Sequence, residues 1–279
     1  MKNKQLSWAR IAFIASVCSA AAATAARTIL TFTLLDANYG VYRHGSILPN
    51  IFHIILAAVC IALALMGIFK APNLSKEHSV PLNTLTAFAS FASALLIAAR
   101  AAEILWFGAA SLTLGKIEIT EAVFAIISAL YFIALPIKGG KRSVGLAFAS
   151  FGPIGWCTVS LIGLYFDKTV LMTSPNKVLG LVSLLSAMLY FLCETRLMTE
   201  NLSHRYFLAA ASAAPVLLIT SALPNVVCYG LLSIGSWDDL IRYAAETVLG
   251  LFILARLYAY SRSVQSDSAE IDNPQTEIN

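Results

Sequence analysis

The sequence predicts an all-α fold: a polytopic transmembrane helical bundle of about eight spans, arranged as four hairpin-like repeats. Three observations lead there. Of 279 residues, 58% are hydrophobic and 12% are charged, and the mean hydropathy is +0.77; an average soluble domain carries about twice that charge. Apolar stretches of about 20 residues, enough to cross roughly 30 Å of hydrocarbon at 1.5 Å per residue, recur along the whole chain. Short polar loops separate them, and segments such as 54–69 are apolar on every face, where a soluble helix would be amphipathic.

In chain order, the first span is expected over about 9–35, behind Lys2, Lys4 and Arg10. This start imitates a secretory signal, with basic residues, a short apolar run and then small residues. Cleavage there would leave only 26–35 before Asp36, too short to span, so the segment reads as a retained helix. The second span follows at 50–69, the third at 82–108 and the fourth at 119–137. The fifth covers 144–166, the sixth 178–196, the seventh 206–233 and the eighth 239–260. Pro153, Pro215 and Pro224 are expected to interrupt their helices. The transmembrane domain therefore occupies 1–262, and the acidic, Ser-, Asn- and Pro-containing tail 263–279 reads as disordered.

Orientation follows from Lys and Arg, which concentrate in cytoplasmic loops. Lys2, Lys4 and Arg10, then Lys70 and Lys76, Lys138, Lys141 and Arg142, Arg196 and Arg205, and Arg262 fall on one side. Arg43, Lys116, Lys168, Lys177 and Arg242 fall on the other. The asymmetry puts both termini in the cytoplasm of a cell-membrane protein and accounts for the net charge of +4 without nucleic acid. The five cysteines all fall in spans with no C-x-x-C spacing, and the N-x-S triplets at Asn73 and Asn201 fall in loops expected inside.

The pentapeptide AFASF occurs at 87–91 and again at 147–151. Sliding the third span onto the seventh aligns Ser90 with Ser212, Gly108 with Gly230 and Ser111 with Ser233. In the outer loops, Asp36 followed by Pro49 and Asn50 matches Asp167 followed by Pro175 and Asn176. Four duplicated helical hairpins, in parallel orientation, account for all three; the alternative is the common composition of membrane helices.

The stretch Tyr165-Phe166-Asp167, then Ser174-Pro175-Asn176-Lys177 and Leu192-Cys193-Glu194-Thr195-Arg196, resembles a family of bacterial eight-span integral membrane proteins without established activity. Leu223-Pro224-Asn225 and Leu254-Ala255-Arg256-Leu257 continue the likeness. The resemblance covers mainly the second half of the chain and implies topology, not chemistry.

Ionisable residues within spans carry the functional argument, because a charge at mid-membrane is costly and faces protein or water. Arg27, Arg100, Glu103 and Glu246 fall at one depth in the outer leaflet and are the candidates for a ligand site or for buried ion pairs. His53, Glu121, Asp239 and Arg242 are secondary. Thr24, Arg27, Thr28 and Thr31 share one face of the first helix, and Asp239, Arg242, Tyr243 and Glu246 one face of the eighth. As ion pairs, Arg100 would meet Glu103 or Glu246, and Arg27 another acid. Asp36, Asp167 and Asp238 read as caps or turn residues. Glu194, Arg196 and Arg256, near cytoplasmic ends, read as anchors that snorkel to the surface, and the tryptophans as an interfacial belt.

No catalytic set, metal-ligand spacing, phosphate-cradling glycine loop or cofactor motif appears. Three functions are compatible with this pattern. The first is small-solute transport, binding or permeation through the outer polar layer. The second is an accessory subunit whose charges join helices and whose membrane-protein partner supplies activity. The third is a membrane enzyme using Glu103 or Glu246 as acid or base. The partners expected are the lipid bilayer, a small-molecule ligand or another membrane protein.

Overall fold

The computed structural model describes residues 2–36, 41–42, 47–71, 82–111, 115–139, 143–168, 171, 174–199, 204–232 and 237–271. It is a bundle of helices. Helix α1 spans Lys2–Leu34 and ends in a two-residue antiparallel pairing of β1 (Leu35–Asp36) with β2 (Val41–Tyr42). Then follow α2 (Leu48–Lys70), α3 (Thr84–Ser111), α4 (Lys116–Ile137), α5 (Val144–Ala149), α6 (Phe151–Phe166), α7 (Pro175–Met198), α8 (His204–Leu232) and α9 (Trp237–Ile271). The triplets at Asn73 and Asn201, and most of the inter-helix loops, lie outside the described residues.

Among the described residues, seven segments are long and apolar enough to cross a membrane: α1 to α4, α5 with α6, α7 and α8. Their outward faces carry Phe88, Leu95, Ile54 and Leu130 at 60–75% exposure. Water would not tolerate such a surface; lipid does. The chain is a multi-pass membrane protein. Helix α9, with 35 residues, is long enough as well, yet Asp239, Arg242, Glu246 and Arg256 make it too polar to qualify by composition. Its position explains its polarity: it packs against α8, α3 and α1, and Ala245, Leu249, Phe252, Ile253, Leu257 and Tyr260 are fully buried. A helix surrounded by protein need not present apolar side chains to lipid on all sides.

The contacts run from α3 to α4, α4 to α6, α6 to α7, α7 to α8, α8 to α9 and α9 back to α3, closing a ring of six helices. Helix α1 lies outside the ring against α8 and α9, with α2 against α8 and α1. Helix α2 shows how such a peripheral helix docks: Leu56, Cys60, Leu63 and Gly67 are buried, at i, i+4, i+7 and i+11, and make one narrow seam. Its glycine sets the approach, since a Cβ on Gly67 would stand 2.5 Å from the Ala209 backbone of α8. Gly152 does the same for α6 on α4, where a Cβ would meet the Ser128 nitrogen at 2.8 Å.

Proline decides where the helices exchange hydrogen bonds. A proline has no N–H, so the carbonyl four residues earlier loses its partner. Pro136 in α4 frees the Phe132 carbonyl, and Ser90 Oγ of α3 donates to it at 2.6 Å. Pro224 in α8 frees the Thr220 carbonyl, and Arg27 Nη1 of α1 donates to it at 2.6 Å. Pro215 and Pro224 both lie inside a helix that runs unbroken from His204 to Leu232, so neither interrupts α8. Near Pro153 the chain does break, between α5 and α6 at Ser150, whose hydroxyl pairs with Thr195 Oγ1 at 2.6 Å. Both serines of the AFASF repeats therefore tie their helix to the one that returns beside it.

The last helix runs past the predicted end of the eighth span. Helix α9 continues to Ile271, well into the stretch expected to be disordered, because 263–271 holds no helix breaker and extends an established helix. Residues 272–279 lie outside the described residues.

Candidate functional site

The two ends of the bundle can be told apart by their contacts. Phe13 of α1 meets Tyr258 of α9 at the terminal end, with ring centroids 5.2 Å apart. At the far end, Arg27 meets the start of α7. Most candidate residues gather here, and their partners follow from which helices the ring makes neighbours.

Arg100 of α3 is 6% exposed and bridges two carboxylates, with Nη1 at 3.0 Å from Glu103 Oε2 and Nε at 3.4 Å from Glu121 Oε1 of α4. Ser160 of α6 donates to the same Glu121 oxygen at 3.2 Å. A chain of polar contacts thus crosses the ring from α3 through α4 to α6. Of the two acids expected for Arg100, Glu103 is bonded to it, whereas α9 turns Glu246 toward α6 and α7.

Arg27 is 1% exposed, and its partners differ from the expected acid. Nη1 bonds the Thr220 carbonyl and Nη2 bonds Asn176 Oδ1 at 2.7 Å. Among the described residues, no carboxylate reaches ion-pair distance of it. The physical reason is the proline: a freed backbone carbonyl, with an amide oxygen beside it, takes donors that would otherwise need an anion. Thr24 and Thr31 are buried on the same face of α1.

Glu246 is 3% exposed, and its Oε2 has no hydrogen-bond donor among the described residues. It faces a cavity of about 190 Å³ between α6, α7, α8 and α9. Also lining this cavity are Ser160, Asp167, Asn176, Lys177, Tyr229, Asp239, Arg242 and Tyr243. Arg242 Nη2 lies 3.2 Å from Asp239 Oδ1, one turn apart on α9, and its guanidinium sits over the Tyr243 ring. Lys177, 2% exposed, donates to the Asp167 carbonyl at the end of α6.

Of the four leading candidates, Glu246 lines the cavity, Arg27 reaches it through Asn176, and Arg100 with Glu103 forms the adjoining cluster. Among the secondary residues, Asp239 and Arg242 line the cavity and Glu121 joins the Arg100 cluster. His53 stays apart: its Nδ1 faces the Pro49 carbonyl of its own helix, and its ring packs on Phe52. Sequence reasoning missed Asn176 and Lys177 as site residues and read Asp167 as a turn residue. The signal was the loop motif Asp167 with Ser174-Pro175-Asn176-Lys177. Pro175 starts α7, and the first turn after it delivers Asn176 and Lys177 into the cavity. The side chains of Asp36 and Asp238 lie outside the described residues.

Below the cavity the ring is sealed. Phe132 of α4, Phe191 of α7 and Phe252 of α9 meet with centroids 5.0, 6.0 and 6.4 Å apart. Beyond them, Arg256 Nε lies 2.9 Å from Glu194 Oε1, at 3% and 1% exposure. This corrects the reading of Glu194 and Arg256 as snorkelling anchors: both are buried, because each finds its countercharge inside the ring, Glu194 on α7 and Arg256 on α9. Arg196 is exposed, as an anchor requires. The hydroxyls of Tyr131 and Tyr190 are buried beside the pair without a well-aligned bond.

Among the described residues, no group of three or more His, Cys, Asp or Glu is placed to hold a metal ion. No family model, curated protein or solved structure matches the chain.

Proposed function

We propose that the protein crosses the cell membrane eight times with both termini in the cytoplasm, and that the far-end cavity binds a small polar solute from outside as a step in its transport or permeation. The eighth span is α9, whose length suffices and whose polarity is accounted for by burial. The positive residues of the terminal-end loops support the orientation.

One observation carries the binding role. Glu246 is a buried carboxylate that lines open volume and, among the described residues, meets no arginine at ion-pair distance, whereas Glu103, Glu121 and Glu194 each do; a donorless oxygen alone does not set it apart, since Glu194 Oε2 has none either. Leaving such a group unpaired costs about 1–3 kcal/mol or more, which a donor from a ligand recovers. The occupant therefore carries an amine, amide or hydroxyl for Glu246. Lys177, Arg242 and Asn176 line the same cavity, where its other end would meet them. A cavity somewhat larger than the roughly 150 Å³ that admits benzene fits a solute of about six to ten non-hydrogen atoms. The phenylalanine layer beneath closes the path, so this geometry is a state loaded from outside and shut toward the cytoplasm.

A thermal-shift screen of the purified protein against small amines, amino acids and polyols tests the reading. A true ligand at a hundred times its Kd stabilises by about 2.7 kcal/mol, and Glu246→Gln should abolish that shift while the variant melts like the parent. A shift retained in Glu246→Gln would sink this site. A stoichiometric co-purifying membrane protein, with no solute giving any shift, would favour the accessory role instead.

A further inference from the structure

At the terminal end a second groove of about 380 Å³ lies between α1 and α9, lined by Arg10, Phe13, Ile14, Tyr258, Ser261 and Arg262. Two guanidinium groups, one from each helix, converge on it. Both arginines are exposed, and among the described residues neither has a carboxylate partner. Arg262 packs over the Tyr258 ring at 6.0 Å, a contact to the ring face that uses none of its N–H groups as hydrogen-bond donors to a carboxylate. Ser261 is satisfied internally by the Tyr258 carbonyl, so it does not compete for them.

The rest of the groove is apolar and continues into a lipid-facing stripe. Arg10, Ile14 and Val17 follow one another at i, i+4 and i+7, and Ile14 and Val17 are 50% and 38% exposed. The height of the groove is that of a membrane interface: close by in sequence, Trp8 is covered by Lys70 Nζ at 5.4 Å, the amphipathic pairing that suits headgroup level. A pair of guanidiniums with no carboxylate partner among the described residues, set above an apolar track, matches one chemistry, a phosphate whose own substituent is a hydrocarbon chain.

We infer that the groove between α1 and α9 is a binding site for an anionic phospholipid, its phosphate held by Arg10 and Arg262 and an acyl chain lying along Phe13, Ile14 and Val17. The site is independent of the solute cavity. It ties the first helix, outside the ring, to the central α9 through a lipid. Both arginines belong to the positive side of the chain, so the lipid is in the cytoplasmic leaflet.

Native mass spectrometry of the purified protein with added phosphatidylglycerol or phosphatidylcholine tests it, with Arg10→Gln, Arg262→Gln and the double variant alongside. The parent should retain phosphatidylglycerol over phosphatidylcholine; either single substitution should cut that preference about fivefold, and both together about 25-fold. Because both side chains are exposed, the variants should fold; Arg205→Gln, an exposed arginine elsewhere at this end, should keep the full preference. Equal retention of the two lipids by the parent, or a preference that survives the double substitution, would overturn the site. So would displacement of the lipid by inorganic phosphate at equal concentration, which would show that the hydrocarbon chain plays no part.

Discussion

Arginine and glutamate are buried at both ends of this bundle, and the two ends use them differently. At the terminal end, one Arg256–Glu194 pair is enclosed by α4, α7 and α9, with Tyr131 and Tyr190 beside it. At the far end, Arg27, Arg100, Glu103, Glu121 and Glu246 spread over four helices, with Glu246 outside any ion pair among the described residues and a polar cavity next to it. The phenylalanine layer divides them; Glu246 and Arg256, ten residues apart on α9, are separated by about 15 Å along the helix. Burial alone therefore does not mark a site. A one-to-one pair sealed by rings holds helices together, whereas an unmatched charge facing open volume is kept at a cost that only a ligand repays.

The largest effect should come from breaking the sealed pair. Arg256→Ala leaves Glu194 uncompensated in a dry interior, and removing one member of such a pair costs about 3–5 kcal/mol. The expected outcome is loss of the monodisperse folded protein in detergent, or a fall of many degrees in its melting temperature. Replacing both residues, as Glu194→Leu with Arg256→Met, should restore most of the loss, since well-packed apolar groups substitute for a buried pair. If the double variant is as unstable as the single one, the pair has a role beyond joining α7 to α9, and the contrast between the two ends weakens.

A smaller loss is expected at the boundary of the far-end cluster. Arg100→Ala leaves Glu103 and Glu121 facing each other, but Ser160, which lines the cavity, still donates to Glu121, and one of the two carboxyls can take up a proton to relieve the repulsion. The cost should be about 2 kcal/mol, read as a reduced melting temperature. Cysteine substitution at Ser160 sharpens the same point, because the cavity predicts labelling by a membrane-impermeant thiol reagent added from outside. Cys157, fully buried one turn earlier on the same helix, should stay unlabelled.

Hydropathy made the spans legible because a transmembrane helix must be apolar wherever it meets lipid, and α2 meets it on nearly every face. The same logic hid part of α9: its polar residues are compatible with spanning only because other helices surround it, a tertiary fact. The distance of Arg27, Arg100, Glu103 and Glu246 from the span ends could be read from the sequence. Their partners could not, since pairing depends on which helices the ring makes adjacent. Arg27 is the clearest case. Its partner is a backbone carbonyl released by Pro224, and the sequence contains that proline but not the fact that α1 crosses α8 there. Glu194 and Arg256 were misplaced for a related reason, because nearness to a helix end suits an anchor as well as it suits a pair of helices packed at equal depth.

The smallest stability effects, and the most informative for function, should come from the cavity itself. Glu246→Gln removes a buried charge that has no complete set of partners, so it should leave the melting temperature unchanged or raise it by the equivalent of about 1 kcal/mol. Asp239→Asn, in a half-exposed pair with Arg242, should cost less than about 1 kcal/mol. Both should nevertheless weaken solute binding, the first severely and the second mildly, because Arg242 would lose the group that orients it. That inversion, with the greatest effect on binding at the least cost to folding, separates a site from a structural contact. Were Glu246→Gln to unfold the protein as Arg256→Ala does, the far-end carboxylate would belong with the sealed pair, and the cavity beside it would be incidental to the bundle's packing.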